Sequence, residues 1–184
     1  MSREKAFRRT DVLEKALPLF WAKGFTATGM KDLEHATGVN KSGLYSEFRD
    51  KDDLFVASLE HYYKGRENRK LLMHEPLGWS NIERFMKLAG PSTTKKLRGC
   101  FAVNTLRELD GLPAKAHKVI ELQRTILKSL FLANIVTEKI RTKPDAMAEV
   151  LLTFYYGLSI EQNLETSRAS FNRRVETFLG AVRD

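Results

Sequence analysis

Between residues 28 and 55 the sequence leaves room for two helices of about two turns each, with a tight corner between them at Gly38-Val39. Thr28 is placed to cap the first, Gly29 to Thr37, and Asn40 the second, Lys41 to Phe48. Helices this short cannot each bury a face alone, so they must share one small core. Met30, Leu33, Ala36, Val39, Leu44 and Phe48 fall where that core would form. Lys41, Ser42, Gly43 and Tyr45 fall outside it, on a face left to solvent or to a partner. Such a pair, crossing closely with the second helix presented outward, is a helix-turn-helix pattern.

The rest of the chain also reads as helix, with breakers at helical intervals and little strand-like alternation. The spacing predicts a first helix ending at Lys23-Gly24, with Leu13, Ala16, Leu17 and Phe20 as its apolar stripe, Asp11 and Glu14 as a capping box, and Pro18 as an oddity inside it. Asp50 caps a long helix from Lys51 to Met73. Further helices are predicted over 81–89, 100–109, 113–141, 144–166 and 170–182, the one from Pro144 opening on its proline and the last capped by Ser170. The fold class is therefore all-α, about nine helices, with an N-terminal three-helix part over residues 1–50 and a larger helical part over 51–184.

Composition narrows the function classes. Cys100 is the single cysteine, which rules out an intrachain disulfide and suits a reducing, cytoplasmic setting. No stretch approaches the roughly 18 apolar residues of a membrane span, and residues 1–5 open into charge rather than a signal segment. The net charge is +8, yet residues 1–53 hold ten Lys/Arg against nine Asp/Glu, while residues 95–143 hold eleven against four. The positive surplus lies away from the helix-turn-helix, so any case for nucleic acid rests on pattern rather than on charge. His35, His61, His74 and His117 show no metal-ligand spacing, and no phosphate loop or nucleophile motif is present. Neither an enzyme, a metal nor a cofactor is expected.

The stretch Ala16-Leu17-Pro18-Leu19-Phe20, Lys23-Gly24-Phe25, Thr28, Met30-Lys31-Asp32-Leu33, Ala36-Thr37-Gly38-Val39, Lys41-Ser42-Gly43-Leu44-Tyr45, Phe48 and Lys51-Asp52-Asp53-Leu54 resembles the N-terminal signature of the TetR/AcrR family of bacterial repressors. Beyond it only helix count, spacing and Tyr156-Gly157-Leu158 match; Pro18 and Gly29 depart from the family pattern. The resemblance implies a homodimer on double-stranded, palindromic operator DNA. It implies a phosphate contact for Thr28, base or phosphate contacts for Lys41 and Ser42, and close approach to the duplex at Gly43. Tyr45 would touch a phosphate or thymine methyl, and Lys51 would meet phosphate at its helix start. Arg3, Lys5, Arg8 and Arg9 would add contacts from an N-terminal arm, or simply face water.

The last two helices are apolar enough to suggest pairing with a second copy, with Leu151, Tyr155, Leu158, Phe171, Val175, Phe178, Leu179 and Val182 as interface candidates; an intramolecular core is the alternative. A pocket for a small apolar or anionic effector is expected among Phe85, Cys100, Phe101, Asn104, Glu108, Leu127, Phe131, Phe154 and Gln162, with Leu106 and Gln123 nearby. Cys100 follows Gly99 with Lys95, Lys96 and Arg98 close by, a setting for a thiol sensitive to oxidants or electrophiles, or else it is an inert core cysteine. Release from DNA by ligand or by Cys100 chemistry would use the helix from Lys51 as lever. The alternatives are a ligand-free DNA-binding dimer controlled by a protein partner and, least favoured by the motifs, a helical enzyme.

Overall fold

A computed structural model of the chain describes residues 7–91, 97, 99–164 and 167–183. Among these residues there are nine α-helices and no strand. They are α1 (Arg9–Lys23), α2 (Met30–Thr37), α3 (Lys41–Glu47), α4 (Lys51–Lys64), α5 (Trp79–Lys87), α6 (Phe101–Thr105), α7 (Ala114–Ile135), α8 (Pro144–Glu161) and α9 (Arg168–Arg183). Two 3-10 segments, Glu67–Met73 and Leu106–Gly111, complete the order. No helix among the described residues is long and apolar enough to cross a membrane.

Several ends differ from expectation for local reasons. α1 starts before the expected capping box, and Asp11 instead accepts from the side chain of Arg8 at 2.7 Å. The helix passes through Pro18, whose missing N–H falls on the exposed side. α4 stops at Lys64, because Gly65 opens the tighter 3-10 turn, so no single helix runs from Lys51 to Met73. α9 is capped by Ser167, whose Oγ accepts from the Ser170 N–H at 3.2 Å, rather than by Ser170. Asp50 caps α4 as expected, its carboxylate taking the Asp53 N–H at 2.8 Å.

The chain forms two compact units. Residues up to Gly65 and Asn104–Glu121 make the first; Arg66–Val103 and Leu122–Asp184 make the second. In the first, α1 packs on α2 and α4 through Val12, Leu13, Ala16 and Phe20. Phe55 of α4 meets Phe20 edge-on at 5.1 Å and Phe25 at 4.8 Å. Each such ring taken from water contributes roughly 1.5–3 kcal/mol. Leu54, Phe55 and Leu59 belong to this same core, so the first unit extends past the boundary expected at residue 50.

The second unit is built around Phe85, Phe131 and Tyr155, with ring centroids 4.9–6.4 Å apart. α5 packs against α9. A polar knot sits inside: Asn134 donates to the Leu72 carbonyl at 2.8 Å and accepts from the Gly78 N–H at 2.9 Å, while Asn81 donates to the His74 carbonyl at 2.6 Å. Buried amides that lose water need such partners.

Candidate nucleic-acid interface

α2 and α3 are shaped by short-range hydrogen bonds. The Gly29 N–H at the start of α2 is taken by Asp32 at 3.0 Å, and Lys23 at the end of α1 reaches the same carboxylate at 2.8 Å. These contacts, Lys23 foremost, hold the Asp32 carboxyl below its ordinary pKa. Gly38 ends α2 with φ +72°, ψ 13°, its N–H on the Glu34 carbonyl at 2.9 Å. A Cβ there would meet nothing, so left-handed backbone rather than crowding calls for glycine. Asn40 then caps α3, its Oδ1 accepting the Gly43 N–H at 2.8 Å, and Glu34 accepts the Lys41 N–H.

Leu44 and Phe48 anchor α3 in the core, each 1% exposed. Lys41, Ser42, Tyr45 and Ser46 lie exposed on α3, with the Lys41 ammonium 5.7 Å from the Tyr45 ring centre. The outward face expected from the sequence is thus present, and Ser46 joins it; helical spacing from Ser42 could have found it.

Other expected contact residues have different tasks. The Thr28 side chain is fully buried and donates to the Gly24 carbonyl at 2.6 Å, so it is not turned outward for a phosphate; the exposed hydroxyl residue of that corner is Thr26, beside exposed Ala27. A Cβ on Gly43 would lie 2.7 Å from the Val39 side chain and 3.2 Å from Asn40 Oδ1, so its smallness serves packing inside the motif. Lys51 donates to the Phe25 and Thr28 carbonyls, both at 3.1 Å, and lies over the Phe25 ring. Its ammonium fastens the α1–α2 corner instead of projecting alone into solvent. Arg9 donates to the Glu47 carbonyl and stacks on Phe48, pinning the end of α3, and Arg8 pairs with Asp11. Arg3 and Lys5 lie outside the described residues.

The expected effector residues fall in both units. Phe85, Phe101, Leu127 and Phe131 are packed core with at most 3% exposure. Phe154 stacks on Phe178 at 3.6 Å, and Gln162 donates to the Ser159 carbonyl. Asn104, Leu106 and Glu108 belong to the first unit. Cys100 is buried, and its neighbour is one that sequence reasoning does not single out: Arg66 donates to Sγ at 3.3 Å and to the Tyr155 hydroxyl at 2.7 Å. Lys95, Lys96 and Arg98, expected beside this cysteine, lie outside the described residues. Arg69 donates to Gln123 in the same unit. Burial raises the Tyr155 hydroxyl's pKa despite Arg66, and pushes Tyr156 up to about 12, so both phenols stay neutral.

Most expected pairing residues also lie inward. Leu151, Tyr155, Leu158, Phe171, Val175 and Leu179 are at most 3% exposed within the single chain and can lose no more water to a partner. Only Phe178 and Val182 of that set keep partial exposure. The face of α8 left open is one residue out of step: Val150, Thr153, Gly157, Ile160 and, just beyond the helix, Leu164, with Phe154 half-buried beside them.

An exposed face on the second helix of a two-helix corner, with only helices among the described residues, defines a helix-turn-helix fold. Over residues 12–58 the chain matches the family model for bacterial regulatory proteins of the TetR family. It is 36% identical over 112 residues to the HTH-type transcriptional repressor ComR of Escherichia coli K12, covering 58% of this chain and 53% of ComR. It is 28% identical over 123 residues to the uncharacterized regulator YezE of Bacillus subtilis, covering 65% and 55%. The chain thus spans about half the length of the curated relatives it matches. Among solved structures it resembles a cysteine-substituted CifR bound to 26-bp operator DNA, with TM-score 0.85, 25% identity and coverage of 98% and 100%. It also shares its fold with reduced E. coli NemR, with TM-score 0.82, 19% identity and 96% of each chain.

Proposed function

We propose that this protein is a homodimeric, cytoplasmic DNA-binding repressor and not an enzyme. The observation that carries the reading is the outward set Lys41, Ser42, Tyr45 and Ser46 on a helix whose other face is locked by Asn40, Leu44 and Phe48. Polar side chains and one aromatic at this spacing suit phosphates and base edges in a major groove. The matched relatives are transcriptional regulators, and the CifR neighbour holds operator DNA. One recognition helix covers few base pairs, so two are needed for specificity. The second copy would pack on the open α8 face of Val150, Gly157, Ile160 and Leu164, where glycine lets helices approach closely.

Selection of duplexes from a random pool tests this directly. The expected product is an inverted repeat. Gly157→Glu should leave a monomer by analytical ultracentrifugation and abolish repeat binding; recovery of unrelated sequences, or a dimeric Gly157→Glu protein, would contradict the reading.

The releasing signal would act at Cys100. Arg66 would stabilise negative charge on Sγ as it adds to a quinone C=C carbon, forming an S–C bond while the C=C π pair shifts to the quinone oxygen, which takes a proton from solvent in place of the one the thiol gives up. Adduct bulk in a buried site would break the Arg66 contacts and shift the population away from the DNA-bound form. A quinone should release the duplex from the parent but not from Cys100→Ser; equal release from both would remove Cys100 and leave a non-covalent effector.

A further inference from the structure

The corner at residues 24–28, which leads into α2, is held by charges of opposite sign that act on its backbone. Lys51 takes two of its carbonyls, those of Phe25 and Thr28. Glu108 takes an amide: the Thr26 N–H donates to its Oε2 at 2.8 Å. The carboxylate comes from far along the chain, on the 3-10 segment that continues α6, and Glu108 itself leaves helical geometry at φ −115°, ψ 18°. Gly24 accommodates it. Its φ of +83° calls for glycine, and a Cβ there would stand 1.8 Å from Glu108 Oε1 and push the carboxylate off its place. Gly111 lies close as well, its Cβ position 3.5 Å from Thr26 Oγ1. All these residues belong to the first unit.

We propose that Glu108 is a positioning residue for DNA reading: it fixes the α1–α2 corner and thereby the setting of α2 and α3, without touching DNA itself. The inference rests on the DNA-binding reading above. Its physical basis is complementarity, an acid on the corner's N–H and an ammonium on its C=O groups, which together hold the corner on both sides. A charge-assisted hydrogen bond of this kind is shorter and stronger than a neutral one. Helical spacing alone puts Glu108 among the effector-pocket candidates, because its true partner is 82 residues away.

The test compares the parent, Glu108→Ala and Glu108→Gln, using the selected duplex and amide hydrogen exchange. Glu108→Ala is expected to weaken duplex binding about tenfold and to speed exchange at Thr26 and through α2 and α3. Glu108→Gln keeps an acceptor oxygen and should restore most of both. Gly24→Ala should behave like Glu108→Ala. Unchanged affinity of Glu108→Ala below its melting temperature, even with a lowered Tm, would overturn the proposal. Equal loss in Ala and Gln variants, or unchanged Thr26 exchange, would do so too. If the parent binds no selected duplex, the DNA-binding reading fails, while Thr26 exchange still decides whether Glu108 holds the corner.

Discussion

The two units are held together by different kinds of interaction. In the helix-turn-helix, the helix caps and turns are short-range: Asn40 to Gly43, Asp50 to Asp53, Gly29 to Asp32, and Gly38 back to Glu34, with Lys51, Arg9 and Glu108 adding long-range ties to the backbone. In the second unit they join residues far apart in sequence, as in Asn134 with Leu72, Arg66 with Tyr155, and Arg69 with Gln123. A motif built from local contacts can be carried by a short stretch of chain and keep its form while the remainder varies. A domain built from distant contacts has no such compact signature, which agrees with a family match confined to residues 12–58.

This contrast can be broken by substitution. The largest effect belongs to the second unit. Asn134→Leu would strand the Gly78 N–H and the Leu72 carbonyl, and each buried unpaired group costs about 1–3 kcal/mol. A stability loss of about 3 kcal/mol or more is expected from denaturant unfolding. A change below about 1 kcal/mol would show that the long-range knot matters little.

Gly38→Ala comes next. Forcing Ala to φ +72° costs roughly 1–2 kcal/mol, and the loss should appear as faster amide exchange at α2 and α3 with little change in the second unit. Spread of the effect across both units would contradict the local character of the motif.

The smallest effect concerns Glu83, which pairs with Lys87 and Arg183, both at 2.8 Å. These partners, Lys87 first, hold its carboxyl below the usual glutamate range. Because the unfolded chain binds the proton more readily, the contribution is present above the ordinary glutamate pKa and lost as pH falls through the lower folded value. Partly exposed pairs of this type contribute under about 1 kcal/mol. Glu83→Gln should therefore flatten the acid limb of the stability–pH curve slightly and leave neutral stability nearly unchanged; an unaltered acid limb would show that the pair contributes nothing.

The same division explains what was legible in the sequence. Gly38, Asn40 and Asp50 disclose their roles because cap and turn chemistry depends on neighbours three or four residues away. Thr28, Gly43 and Lys51 stand out in the sequence, but their contacts within the fold do not. Thr28 folds back on Gly24, Gly43 makes room for Val39, and Lys51 reaches the Phe25 carbonyl, none of which follows from spacing. Which face of α8 stays open is not legible, because nearly every residue there is apolar and periodicity cannot choose a side when both are greasy. Arg66 beside Cys100 and Glu108 on Thr26 carried no local signal at all.

The central claim is that the exposed face of α3 reads DNA while its inner face only holds the fold. Titrating the selected duplex against Tyr45→Ala, with thermal unfolding measured on the same samples, tests it most directly. Tyr45 is 42% exposed, while Leu44 and Phe48 carry the core packing of the helix. Binding weakened about tenfold or more at an unchanged Tm is the predicted result. Undiminished binding, or weakening accompanied by a matching fall in Tm, would contradict it.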